Sequence, residues 1–207
     1  NPNFKDAYNN LINYYKNIED TEKLIESYKN YLRITSNSLY SYEFIFLLYK
    51  RKNYEETIEE INKILPGLPN NYRLIRILAN SYRFTKKWDE AIINYRIVLT
   101  HEPDNENILQ SIIYCLDHSG KIEQAIKLLN NALVYLKDPS INIRLIKGVL
   151  CFKNKNYDEG LKVFRKVLNV RTNDWRIYHN IAMIYQAKGI DDFAEQFFSR
   201  AKEYKNK

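Results

Sequence analysis

Three histidines and two cysteines, His101, His118, His179, Cys115 and Cys151, are the side chains best suited to nucleophilic or metal chemistry in this chain of 207 residues. Zinc or redox chemistry would need the two thiols in a CxxC-type spacing, which they lack, so packed free thiols are the reading. His101 falls at the end of an apolar-periodic stretch, where a cation suits the C-terminal end of a helix dipole. His118 and His179 have neither a nucleophile nor a carboxylate beside them at fixed spacing. The chain contains no HExxH, GxxxxGK[ST] or GxSxG, and five glycines leave little room for a phosphate-cradling loop. No catalytic residue, metal site or cofactor is therefore expected. What the polar and aromatic side chains can still do is bind.

The elements that would position them are helices. Apolar residues recur at i, i+3, i+4 and i+7, as in Ile92, Tyr95, Ile97, Val98 and Leu99, which is helical periodicity. Breaks at 85–87, 119–121 and 153–156 separate helices, and Pro66, Pro69, Pro103 and Pro139 punctuate the longer joins. Between Tyr72 and Asn105 the order Ala79, Tyr82, Ala91, Tyr95, Pro103 appears, and it recurs at a period of about 34 residues. The last unit, from Trp175, repeats it as Ala182, Tyr185, Gly189, Ala194, Phe198 and Ala201. The unit from Glu106 keeps Leu109, Gly120, Ala125, Leu129 and Ala132, and that from Ile141 keeps Gly148, Tyr157, Gly160, Phe164 and Val167. The unit from Ser38 retains Tyr54, Thr57, Ile61, Ile64 and Pro69. The first, from about Lys5, holds Tyr8, Leu11, Tyr15, Leu24 and Tyr28.

This period and this order of small, aromatic and proline residues resemble the tetratricopeptide-repeat (TPR) family. The resemblance implies an all-α, right-handed superhelical solenoid of about six helix-turn-helix repeats, with bounds near 5–37, 38–71, 72–105, 106–140, 141–174 and 175–207. A solenoid has no single core, so one continuous array is expected over 1–207. The resemblance also implies a non-enzymatic scaffold that binds a protein segment in a concave groove built from the first helices. In the family frame positions 2, 5, 9 and 12 of each unit face that groove. Here they give Leu39, Tyr42, Phe46 and Tyr49; Arg73, Arg76, Asn80 and Arg83; Asn107, Gln110, Tyr114 and Asp117 with His118 alongside; Asn142, Leu145, Val149 and Phe152; and Arg176, His179, Met183 and Gln186. Aromatic rings beside arginines have the composition of interface hot spots. The expected groove residues are thus Tyr42, Phe46, Tyr49, Arg73, Arg76, Asn80, Arg83, Tyr114, His118, Phe152, Arg176 and His179, and the expected partner segment is acidic with apolar anchors. Family members that bind chaperone C-termini use a two-carboxylate clamp. Arg76 and Asn80 match its first pair, but Ser111, Asn142 and Ile146 break it, which argues against a chaperone partner.

Composition sets the remaining bounds. Lys, Asn, Ile and Tyr make up 89 residues, a bias that fits an A/T-rich genome better than a function and points weakly to a bacterial assembly or envelope factor. Net charge is +7, with the bases spread over every repeat, so a solvated outer face is expected and dedicated nucleic-acid binding is not. The alternative of a helical-repeat RNA binder resembling pentatricopeptide proteins would require base-reading polar pairs in every repeat, and these positions drift among aromatic, basic and aliphatic types. No stretch approaches the roughly 20 apolar residues of a transmembrane helix. The chain opens Asn1-Pro2 without methionine, as a processed product would, so a signal or lipid anchor could have been removed and both cytoplasm and cell envelope stay open. At the other end Phe193, Phe197 and Tyr204 form a stripe at i, i+4 and i+11 on the side where a seventh unit would dock, with Phe198 and Ala201 turned inward. Association through this end, with the partner or a second copy, is expected. Lys202, Lys205 and Lys207 would otherwise keep the last helix soluble.

Overall fold

The structure, a computed structural model, describes residues 2–170 and 173–206. Twelve α-helices and no strand are found among the described residues. The chain divides into two compact units, Asn1–Val98 and Leu99–Lys207. In unit one, helix α1 (Pro2–Asn17) pairs with α2 (Thr21–Ile34) and α3 (Ser38–Lys50) with α4 (Tyr54–Ile64). A 3-10 turn at Leu65–Gly67 leads on to α5 (Tyr72–Phe84) and α6 (Trp88–His101), the helix in which the division falls. Unit two holds α7 (Glu106–His118), α8 (Ile122–Tyr135), α9 (Ile141–Lys153), α10 (Tyr157–Leu168), α11 (Trp175–Ala187) and α12 (Asp191–Lys205). The first helices of the later pairs start at residues 38, 72, 106, 141 and 175, where the period puts them. Only α1 starts earlier than expected, at Pro2 instead of about Lys5.

Each of those five first helices is started by the same device. Asn37, Asn71, Asn105, Ser140 and Asp174 stand immediately before α3, α5, α7, α9 and α11, and each side chain accepts a backbone N–H from the first turn. Such a cap satisfies one of the donors that a helix start leaves orphaned and is worth about 1 kcal/mol.

Inside each pair the turn is also repeated. One residue per turn has left-handed backbone: Glu19, Lys52, Lys86, Gly120, Lys155 and Gly189, at intervals of 33 to 35 residues and φ between 57° and 75°. The residue after it donates its N–H to a carbonyl five positions back, as Lys87 does to Tyr82 at 2.8 Å and Ile190 to Tyr185 at 3.0 Å. This is the Schellman closure, and the left-handed position costs an L-residue roughly 1–2 kcal/mol that glycine does not incur. Glycine's larger unfolded-state entropy offsets part of that difference. Lys52→Gly, Lys86→Gly and Lys155→Gly should therefore each stabilise the chain by about 0.5–1 kcal/mol. Nothing lies within 4 Å of a Cβ built at Gly120 or Gly189, so alanine there should cost about 1 kcal/mol through backbone strain alone. Urea unfolding midpoints of the five variants check the sign at each position.

The cores are the apolar seams between helices. In unit one Ile12, Leu24, Tyr28, Tyr31, Phe44 and Leu48 form one cluster, and Ile45, Ile58, Ile61, Leu74, Ile77 and Leu78 the next. A polar clasp joins the first two pairs: the Tyr28 hydroxyl and the Lys16 ammonium each donate to Glu43 Oε2 at 2.6 Å. Burial pushes the Tyr28 phenol well above its usual range, and its bond to Glu43 adds to the effect. Burial by itself would raise Glu43, but the hydrogen bonds from Lys16 and Tyr28 outweigh it and hold the carboxyl below its ordinary value. In unit two Leu161, Phe164, Val167, Ile177, Ile181 and Ile184 form the largest part of a cluster that the small Ala194 lets close.

Candidate partner-binding faces

In unit one, α3 and α5 lie side by side, and the sequence-predicted stripes of the two helices meet there. Tyr42, Phe46 and Tyr49 are half-buried, with one flank packed on the cluster around Ile45 and Leu74. Their exposed edges are tied to α5 one by one. Asn71 Nδ2 donates to the Tyr42 hydroxyl at 2.7 Å, and the Arg73 guanidinium sits 4.3 Å from the centre of the Phe46 ring. Asn80 Nδ2 donates to the Tyr49 hydroxyl at 3.0 Å. A cation over an aromatic face gains electrostatically from the ring quadrupole, by about 0.5–1 kcal/mol at exposed sites. Arg73 is exposed, while Arg76 and Arg83 are half-buried beside it. Arg83 lies 4.8 Å from the Phe84 ring, which in turn stacks on Tyr54 at 4.5 Å. Burial pushes the Tyr49 phenol up, against the opposing pull of its bond from Asn80. Tyr49 is thus a neutral hydroxyl at neutral pH, and the positive character of this face comes from its arginines.

Asn80 is more than a groove residue. Its Oδ1 accepts from the Tyr95 hydroxyl at 2.5 Å while its Nδ2 holds Tyr49, so one amide links α3, α5 and α6. Both ends of the amide are engaged inside the protein.

In unit two the predicted residues lie on α7, α9 and α11. Tyr114, 44% exposed, stacks on His118 with ring centres 3.9 Å apart, and His118 Nδ1 lies 2.8 Å from the Tyr114 carbonyl. The imidazole is thereby fixed to its own helix. Phe152 is half-buried near Tyr157. Arg176 makes a two-pronged bond to Asp174, Nε to Oδ1 at 3.0 Å and Nη2 to Oδ2 at 2.7 Å, and this bond holds the guanidinium above its ordinary pKa. Since Asp174 also caps α11, Arg176 acts first as a brace of that helix start. His179 is exposed, with the rings of Trp175 and Phe198 at 6.2 and 5.5 Å. Lys153 bonds Asp117 at 2.5 Å, a pairing across α7 and α9 that the groove stripes did not reveal.

The terminal stripe packs more closely than its spacing implied. Phe193 is 50% exposed, but Phe197 and Tyr204 are half-buried against Tyr178 and Tyr185 of α11, in stacks such as Tyr178 with Tyr204 at 5.1 Å and Tyr185 with Phe197 at 5.6 Å. Ala201 is buried and Phe198 half-buried, on the inner side as expected. Lys207 lies outside the described residues. Both cysteines are buried, and burial, with the Glu159 carboxylate nearby, pushes the Cys151 thiol up, away from the reactive thiolate. Among the described residues no group of three His, Cys, Asp or Glu side chains gathers as metal ligands would, and no helix is long and apolar enough to cross a membrane.

Residues 85–167 match the family described as anaphase-promoting complex, cyclosome, subunit 3. A search of curated proteins finds no match to the sequence. Among solved structures, a tetratricopeptide repeat protein from Parabacteroides merdae superposes with a TM-score of 0.69 at 17% identity, covering 98% of this chain and 80% of its own. MamA superposes with a TM-score of 0.66 at 18% identity, over 77% of this chain and 92% of that one. YrrB, described as a TPR protein with an unusual peptide-binding site, gives 0.64 at 17% identity over 87% and 93%. At such identities the likeness speaks for the fold. A chain of paired helices repeating the same cap, turn and small-residue frame, and superposing on proteins of that kind over most of its length, has the tetratricopeptide-repeat fold.

Proposed function

We propose that this chain is a non-catalytic scaffold that holds a segment of a partner protein against its first helices, chiefly on the α3–α5 face of unit one. The observation that carries the reading is the alternation of half-buried rings and arginines there, with Arg73 over Phe46 and Arg76 and Arg83 alongside. Rings fixed by hydrogen bonds lose little entropy on binding, and arginines beside them supply donors in a rigid fork. The complementary segment is acidic with apolar anchors. That a superposing protein is described as peptide-binding supports a peptide ligand, and residue usage favours a bacterial assembly or envelope factor. The RNA-binding alternative gains nothing from these faces, because two of the polar groups it would use are already engaged, His118 with its own helix and Arg176 with the aspartate that caps α11.

Partners recovered from the native cell by the wild-type chain and by Arg76→Glu, compared by quantitative mass spectrometry, test this. The groove ligand should be depleted at least tenfold by the charge reversal, because it meets a repelling charge where it had an attracting one. Its affinity should also fall as salt rises, since exposed charges are screened over about 8 Å at physiological ionic strength. Recovery of the same partners at the same level by Arg76→Glu and by Tyr49→Ala would remove the α3–α5 face from consideration.

A further inference from the structure

On unit two, away from the first-helix stripes, α10 and α11 border an open hollow of about 540 Å³. Four of its lining side chains are cations, Lys162, Arg165, Lys166 and Lys188, and its one acid, Asp158, is already bonded to Lys188 at 2.6 Å. Lys162, Arg165 and Lys166 share one turn of α10, at the spacings of three and four residues where like charges repel. They have little internal relief: Lys162 reaches Glu159 at 3.8 Å, and Lys166 has no carboxylate in ion-pair range among the described residues. Arg165 is held in place, its Nη2 donating to the Tyr185 hydroxyl at 2.9 Å. On its other side the Tyr185 ring stacks on Phe193, 5.3 Å away and half exposed. The cationic wall therefore ends at an accessible aromatic ring. A concave site lined by one sign of charge focuses its field, which favours a compact anionic ligand.

We propose that this hollow holds a segment of acidic protein chain, with neighbouring carboxylates on Arg165 and Lys166 and an apolar side chain on Phe193. A single-stranded nucleic acid would want a row of open rings for successive bases, and among the described residues beside this hollow Phe193 is exposed while Tyr185 is buried. A bilayer surface is flat where this site is concave. The hollow shares no residue with the α3–α5 face, so the two readings stand or fall separately.

The test is fluorescence anisotropy of a labelled Glu-Glu-Leu-Glu-Glu peptide with the full chain. Lys166 makes no side-chain bond among the described residues that its replacement would break, so Lys166→Glu should keep the far-ultraviolet circular dichroism of the wild type while weakening the peptide about fivefold. Arg165→Glu with Lys166→Glu should weaken it at least tenfold, and Phe193→Ala about threefold, whereas the same charge change at exposed Lys50 and Lys86 should move it less than twofold. The proposal is overturned if the double variant binds as the wild type does, if the Lys50 and Lys86 control loses as much, or if only Arg76→Glu weakens the peptide, which would place it on α5. It is equally overturned if a labelled single-stranded RNA, or vesicles of phosphatidylserine and phosphatidylcholine in equal parts, bind more tightly than the peptide with the same dependence on Arg165 and Lys166.

Discussion

Gly148→Ala should destabilise unit two by about 1–3 kcal/mol, although alanine is the better helix former. The helix preference favours the substitution by about 1 kcal/mol, so packing has to overcome it. Gly148 lies inside α9, and a Cβ built on it would come within 2.5, 2.6 and 2.9 Å of three carbons of the Phe164 ring on α10. That ring is fully buried, in a cluster with Leu145, Val167 and Ile177, and has no free volume to move into. Gly160 provides the control. Its added Cβ would meet only the terminal Cδ1 of the Ile184 side chain at 3.1 Å, a contact that a shift of a few tenths of an ångström relieves, so Gly160→Ala should lie within about 1 kcal/mol of neutral. Phe164→Leu alone should lose core contacts, yet combined with Gly148→Ala it makes room for the methyl group. The double variant should therefore be more stable than the sum of the singles by about 0.5–3 kcal/mol. Urea unfolding of the four proteins measures that coupling. Additive losses would mean that α9 and α10 do not meet at this point.

The pairing of a small residue with a ring is legible in the residue order itself, because Gly148, Gly160 and Phe164 fall in the frame that Ala79, Ala91 and Tyr95 define. Periodicity locates helix starts because a solenoid repeats its local problem, and each unit solves it with residues of similar size. The turns are harder to see. Glycine marks the left-handed position at Gly120 and Gly189, but Lys52, Lys86 and Lys155 occupy it elsewhere, and lysine carries no turn signal of its own. The caps at Asn37, Asn71, Asn105, Ser140 and Asp174 stand at the same period and would be readable in a chain less crowded with asparagine. Side-chain commitments on the binding faces are not legible in this way. The stripe rule gives the face on which Asn80 and Arg176 lie, but what each bonds depends on Tyr49, 31 residues away, in one case and on a capping aspartate in the other. Likewise the i, i+4 and i+11 spacing of Phe193, Phe197 and Tyr204 defines a side of α12, while the rings of α11 decide how much of it stays open.

Asn80→Ala should cost about 1–3 kcal/mol of stability, far more than truncating an exposed groove residue. The Tyr95 hydroxyl donates to Asn80 Oδ1 at 2.5 Å and belongs to a side chain with no exposure, while Asn80 Nδ2 supports the half-buried Tyr49. Removing the amide takes a hydrogen bond from two hydroxyls at once, and a bond lost at a buried polar group leaves desolvation uncompensated. Replacing the tyrosines separates the contributions. In Tyr95→Phe the hydroxyl goes with its bond, so the loss should be smaller, about 1 kcal/mol, and Asn80→Ala in that background should then cost less than in the wild type. Arg73→Ala should move stability by less than about 1 kcal/mol, because its guanidinium is exposed over the Phe46 ring. Stability and binding are therefore expected to part on adjacent turns of α5: Asn80 variants shift the unfolding midpoint, and Arg73 and Arg76 variants shift partner affinity. An Asn80→Ala protein as stable as the wild type would show that the amide does not join α3, α5 and α6, and would return Asn80 to the groove as a ligand-binding group.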